Sequence, residues 1–140
     1  MKRIFIAFGL FWAGIWLVFG IFLFVWHTPY FEQSRHLIDE GRLLQFWQNI
    51  AAWENNIIAF FHALVLALLT MVLGTFAEDF AFSEKLKKTL ILMQVSGVII
   101  SGLCHLAGFM PGMVVGEILV FGVIIVCFIK WMKIIFKQES

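Results

Sequence analysis

The sequence is poor in charged residues, which make up 14% of its 140 residues, whereas a soluble domain carries about a quarter. Apolar residues make up 62% of the chain, more than an aqueous fold of this length can bury. The net charge is +1, and nothing in its distribution indicates a nucleic-acid partner. The chain is also too short for two domains, so we treat residues 1–140 as a single membrane domain.

Cysteine is scarce as well. Cys104 and Cys127 both lie in apolar segments and form no Cys-x-x-Cys pair, which excludes that redox motif. We interpret both as small hydrophobic residues. The metalloprotease pattern His-Glu-x-x-His is absent too. Any metal or cofactor site would have to be assembled from residues that are distant in the sequence.

What the sequence does contain is four apolar segments, each about as long as the roughly 20 helical residues that cross a bilayer. The predicted spans are residues 4–26, 57–76, 89–110 and 113–136. The predicted fold class is therefore all-α, an integral membrane bundle of four transmembrane helices. Pro111-Gly112 alone is expected to connect the last two spans, which makes them antiparallel neighbours.

Basic residues are distributed unequally between the two predicted sides of the membrane. Arg35 and Arg42 lie on one side, and all the others lie on the side of the termini: Lys2, Arg3, Lys85, Lys87, Lys88, Lys130, Lys133 and Lys137. Because short cytoplasmic segments are enriched in Lys and Arg, we predict a multi-pass protein of the inner (plasma) membrane with both termini in the cytoplasm.

The segment 28–54 is more polar than the spans, but it is not featureless. Apolar residues recur in it at three- and four-residue spacing from Leu37 to Trp53, with polar residues between them. This pattern predicts an amphipathic helix at the outer interface that leads into span two. The helix would be an interfacial anchor or a lid over a site below it, and the outer aromatic belt would consist of Trp26, Tyr30, Trp47 and Trp53.

Three ionisable residues, His62, His105 and Glu117, lie inside the predicted spans. Such residues are costly in hydrocarbon, which makes them functional candidates. With a rise of about 1.5 Å per residue, all three lie about 8–9 Å below the outer surface. Antiparallel packing would place His105 directly against Glu117, while whether His62 joins that pair stays open. Ser101 lies on the same face as His105.

Three kinds of chemistry fit this set of residues. His62 or His105, or both, could ligate a haem iron axially. The same two histidines with Glu117 are also a familiar ligand set for a bare metal ion. A relay of His105 and Glu117 could instead carry protons or cations. In a purely structural alternative, each histidine is a hydrogen-bonded packing residue near a helix end and has no ligand.

The layout of the chain resembles a known family. Span one ends in VFGIFLFVWH, and the connection LGTFAEDFAFSEKLKK is followed by a small-residue span ending in GFMPG. In these features the chain is similar to the styrene oxide isomerases and hydroxylaminobenzene mutases, a family of four-span membrane isomerases. The resemblance implies a haem b whose iron acts as a Lewis acid on an epoxide, and a trimer in the inner membrane.

The chain departs from this family at the haem ligand. The family's histidine follows a Trp by four residues at the start of span two, whereas the residue at that offset from Trp53 is Ile57. The family's Asn-Gly pair is absent from span two as well. The resemblance therefore does not by itself assign a ligand, and the expected ligand is His62 or His105 on position alone.

The leading functional prediction is a haem-b-binding membrane isomerase that acts on a small apolar substrate within the bilayer. Glu117 and Ser101 would be its catalytic polar groups, next to a cofactor held by His62 or His105. A small proton-coupled transporter that uses Glu117 and His105 is the alternative from a different class, and an accessory subunit of a membrane complex is a third. Because four helices form only a thin core, we expect a homo-oligomer in each case.

Overall fold

The computed structural model describes residues 1–77, 80 and 82–138, without the side chains at 137 and 138. Its four helices are α1 (Lys2–Asp39), α2 (Leu43–Phe76), α3 (Glu84–Leu106) and α4 (Met110–Gln138), and the described residues contain no strand. Each helix contains a stretch long and apolar enough to cross a membrane. The predicted all-α, four-helix membrane fold is confirmed.

The outward faces of the helices are strongly apolar. Phe24 is 83% exposed, and Val18, Leu92 and Phe11 are each about two-thirds exposed. A soluble protein rarely leaves such continuous apolar surface in water, whereas lipid tails cover it without cost. The chain is therefore a multi-pass membrane protein that contacts the bilayer along all four helices.

The segment 28–54 is not a separate loop or a surface helix. Helix α1 continues through Pro29 to Asp39, a turn follows with Gly41 at φ 72°, and α2 begins at Leu43. Proline inside a helix removes one backbone hydrogen bond, and packing across the hairpin offsets this loss because the Tyr30 ring stacks on Trp53. Of the segment predicted to be an amphipathic helix, residues 43–53 are helical and continuous with α2, whereas Leu37 and Ile38 belong to α1 on the other side of the Gly41 turn.

The predicted connection between the last two helices was wrong by three residues. Helix α3 ends at Leu106, and the turn is made at Gly108, whose φ of 66° suits glycine. The Gly108 N–H donates to the His105 carbonyl at 3.0 Å. Pro111 lies in the first turn of α4, where its missing N–H costs nothing. The prediction that α3 and α4 are antiparallel neighbours is confirmed.

The helices meet through small residues on their buried faces. A methyl group added at Gly116 of α4 would lie 2.5 Å from the Ser101 nitrogen of α3, and one added at Gly97 would lie 2.8 Å from the Gly116 carbonyl. The backbones of α3 and α4 are therefore in direct contact, as is typical of small residues in membrane helices. Ala59 and Ala63, both fully buried, are small residues on the buried face of α2.

A buried hydrogen bond ties α2 to α3 in the half of the bundle that carries the termini. The Gln94 amide donates to the Thr70 hydroxyl at 2.8 Å, and that hydroxyl donates to the Leu66 carbonyl at 2.8 Å. Both polar side chains are fully buried. At Gln94 the buried side of α3 therefore faces α2 rather than lipid.

Candidate functional site

Polar side chains of α2, α3 and α4 meet in one cluster. His62 Nε2 of α2 lies 3.1 Å from Ser101 Oγ of α3 and 3.3 Å from Glu117 Oε1 of α4. Both distances are within hydrogen-bonding range, and the contact with Glu117 is an ion pair when His62 is protonated. The sequence left open whether His62 joins the cluster, and in the structure it is the centre.

The backbone geometry explains why His62 and Glu117 reach each other. Ala59 and Ala63 lie on the buried face of α2, and His62 immediately precedes Ala63, at the edge of that face. Glu117 immediately follows the buried Gly116. The two side chains therefore extend from the edges of their helices towards each other across the face of α3 that carries Ser101.

His105 lies next to this centre but contacts it differently from the prediction. Its ring centroid is 5.1 Å from that of His62 at an angle of 54°, and its Nδ1 is buried without a hydrogen-bond partner. The sequence favoured His105 as the partner of Glu117, whereas the ion pair is made with His62. His105 is four residues after Ser101 on α3, so it lies about one helical turn nearer the end of the bundle.

A residue on α2 holds the end of α3 in place. The Asn55 amide donates to the His105 carbonyl at 3.1 Å. That carbonyl lies in the last turn of α3, where it also accepts from the Gly108 N–H. Asn55 is thus a positioning residue for the backbone that carries His105.

The cluster is partly open at its edge. The side chains of His62 and Glu117 are 27% and 28% exposed, whereas Ser101 is fully buried. Because an isolated charge is costly in a low dielectric, a cation or a proton bound at the Glu117 carboxylate would remove a costly charge.

The metal and haem predictions are not tested by this geometry and stay predictions. In the part of the chain that the structure describes, no three His, Cys, Asp or Glu side chains are grouped to hold a metal ion. The ring centroids of His62 and His105 lie 5.1 Å apart.

An aromatic cluster lies at the end of the bundle where the Gly41 and Gly108 turns lie, and it contains Tyr30 and Trp53 of the predicted aromatic belt. The Tyr30 ring stacks on Trp53 at 4.9 Å, His27 and Phe31 approach the edge of the same indole, and the Tyr30 hydroxyl donates to the Asn49 carbonyl. The spacing of the aromatic residues along α1 indicates that they share one face. That this face contacts Trp53 of α2 follows only from the hairpin that brings the two helices together.

Fold and site together define a multi-pass, all-α membrane protein with a His–Ser–Glu cluster enclosed by three helices. Comparison with protein-family models, with curated proteins and with solved structures finds no match for this chain. The resemblance to the four-span isomerases therefore stays a prediction.

Proposed function

We propose that the protein is a small proton-coupled carrier in which the His62–Glu117 pair exchanges a proton for a cationic ligand. The observation that carries this proposal is the 3.3 Å contact between His62 Nε2 and Glu117 Oε1 inside the membrane-spanning region. Glu117 is the ion-pairing carboxylate of this cluster. The roles differ from the prediction in one respect, since His62 replaces His105 as the direct partner of Glu117.

The chemistry of exchange follows from charge balance. A cation bound beside the Glu117 carboxylate neutralises it, and the proton shared with His62 must then leave. When the proton returns, the carboxyl group is neutral and its attraction for the cation is lost. Ser101 Oγ, 3.1 Å from His62 Nε2, orients the ring. His105, whose ring is adjacent, offers the next proton acceptor towards the turn at Gly108.

The proposal is tested with tetraphenylphosphonium, a lipophilic cation, bound to the purified protein in nanodiscs. Calorimetry across about pH 4 to 8 covers the ordinary titrations of carboxyl and imidazole groups. We expect the affinity to rise with pH, by about tenfold per pH unit where one proton is exchanged for one cation. Titrations in two buffers of different ionisation enthalpy should report about one proton released per cation.

The variants make this test specific. Glu117→Gln keeps the shape of the side chain and removes its charge, so it should abolish both binding and proton release. Glu54→Gln, an exposed carboxylate on α2, is the matched control and should change neither. In liposomes with a trapped pH dye, the added cation should drive proton efflux above that of protein-free vesicles. An affinity that is independent of pH, or retained in Glu117→Gln, would contradict the proposal.

A membrane isomerase is the second candidate, favoured by the pairing of an acid–base group with apolar grooves on the same bundle. In this case Glu117 and Ser101 would act on a small apolar substrate that enters from the lipid. The haem b implied by the family resemblance, ligated by His62 or His105, is tested by an absorption spectrum of protein from haem-supplied cells. A Soret band lost in one histidine variant would support haem binding. The absence of extractable haem would exclude a haem-dependent isomerase.

A further inference from the structure

A basic pocket lies at the end of the bundle that carries the termini. It has a volume of about 460 Å³ and lies between the start of α1, the end of α2 and the first turn of α3. Three basic side chains from two helices line it, namely Lys2, Arg3 and Lys87. Among the residues that the structure describes, no acidic side chain lines this pocket.

Packing of α1 against α2 fixes the position of the two cations on α1. Phe5 is fully buried, and a methyl group added at Gly74 of α2 would lie 3.0 Å from the Phe5 Cβ. The start of α1 is therefore in direct contact with the last turn of α2. Because Lys2 and Arg3 are within one helical turn of Phe5, their backbone is fixed beside the end of α2.

Lys87 contributes the third cation from α3, and it is more buried than its basic neighbours. Its side chain is 31% exposed, whereas Lys85 and Lys88 are both exposed. Its ammonium group donates to Glu84 Oε1 at 2.7 Å, and the Glu84 side chain is 79% exposed. An ammonium group has three donors, and this bond uses one of them. With one described carboxylate beside three cations, the pocket carries an excess of positive charge.

An apolar groove continues from the basic pocket along α1. It has a volume of about 450 Å³, with Lys2 and Arg3 at one end and Ile6, Ala7 and Leu10 along its length. From Arg3 to Leu10 the helix rises about 10 Å at 1.5 Å per residue. Leu10 is 60% exposed and lies within a predicted membrane span. Pocket and groove together thus join a cluster of cations to an apolar surface that faces the lipid.

We propose that the basic pocket binds the headgroup of an anionic phospholipid, with the phosphate beside Arg3 and Lys87 and one acyl chain in the apolar groove. Arg and Lys are the usual partners of phosphate oxygens, and basic pockets between membrane helices take anionic headgroups. A free phosphate would match the cations but would leave the groove uncovered, which is why a lipid is the favoured occupant.

The location of the pocket agrees with this occupant. The bias of Lys and Arg predicts that this end of the bundle faces the cytoplasm, and the cytoplasmic leaflet carries the anionic lipids that attract basic segments. The pocket is separate from the proposed exchange site, because Ala77, which lines it, is about 22 Å from His62 along α2 at 1.5 Å per residue.

Native mass spectrometry of the full-length protein in detergent measures this binding directly. Dioleoyl phosphatidylglycerol and dioleoyl phosphatidylcholine, added in equal amounts, have the same acyl chains, and only phosphatidylglycerol has a net negative charge. We expect the first bound lipid to favour phosphatidylglycerol by about 5- to 25-fold, the factor that corresponds to one or two interfacial cations. Glycerol phosphate, which has no acyl chain, should compete weakly, and competition as strong as that of the lipid would overturn the proposal.

Variants separate a defined site from a general attraction to basic surfaces. Arg3→Gln and Lys87→Gln should each lower the preference for phosphatidylglycerol by about fivefold, and the double variant should abolish it. Lys85→Gln makes the same change at an exposed position of α3 outside the pocket and should leave the preference unchanged. Equal losses in Lys85→Gln and Lys87→Gln, or no preference in the unmodified protein, would overturn the proposal. Lipid binding is measured without the cationic ligand, so this result is independent of the exchange at Glu117.

Discussion

Gly116 of α4 lies against the backbone of Ser101 so closely that a methyl group there would be 2.5 Å from the Ser101 nitrogen. This contact sets the distance between α3 and α4. Since Glu117 is the next residue after Gly116, the same contact places the carboxylate where His62 reaches it. Packing and the polar site are therefore coupled through one glycine.

The first prediction concerns this glycine. Gly116→Ala should force α3 and α4 apart and destabilise the protein by about 1–3 kcal/mol, the usual cost of overpacking. The measurement is unfolding in detergent, read by circular dichroism. Gly14→Ala is the control, because a methyl group there meets nothing within 4 Å. It should be neutral or slightly stabilising, and equal losses in the two variants would show that the close approach is not important.

The second prediction is a coupling energy between His62 and Glu117. A double-mutant cycle with His62→Asn and Glu117→Gln should give about 0.5–2 kcal/mol, the range found for polar pairs between membrane helices. The matched cycle pairs His62→Asn with Glu54→Gln, which lies two turns away on the same helix, and should give close to zero. If both cycles give the same value, the ion pair contributes nothing to stability.

The third prediction concerns the buried hydrogen bond between Gln94 and Thr70. Thr70→Val leaves the Gln94 amide without its acceptor and should cost about 1–3 kcal/mol. The double variant Thr70→Val with Gln94→Leu replaces both polar groups and should recover most of that loss. Stability of the double variant no better than that of Thr70→Val would mean that shape rather than hydrogen bonding controls this position.

The fourth prediction concerns orientation. Four spans place both termini on one side of the membrane, and the excess of Lys and Arg predicts that this side is the cytoplasm. A reporter active only in the cytoplasm should work when it is fused after residue 140, and an exported reporter should fail there. Insertion of the same reporters at Gly41, in the exposed turn between α1 and α2, should give the opposite result.

Element type was predictable here, while element boundaries were not. The four spans followed from the length of their apolar runs, since hydrocarbon imposes a minimum length on any crossing helix. The helical hairpin was missed because Pro29 and the polar residues after it are typical of a loop. In the folded hairpin, Tyr30 stacks on Trp53, a contact between residues far apart in the sequence that the local pattern does not reveal.

The sequence by itself determined that this is a four-helix membrane protein and that His62, His105, Ser101 and Glu117 are its notable polar residues, because unpaired polar groups are costly in hydrocarbon wherever they are placed. Only the tertiary structure decided that His62, rather than His105, pairs with Glu117. That choice depends on the turn at Gly108 and on the contact between Gly116 and Ser101. Together they set the register of α4 against α3, and register between helices is not encoded in the pattern of any single helix.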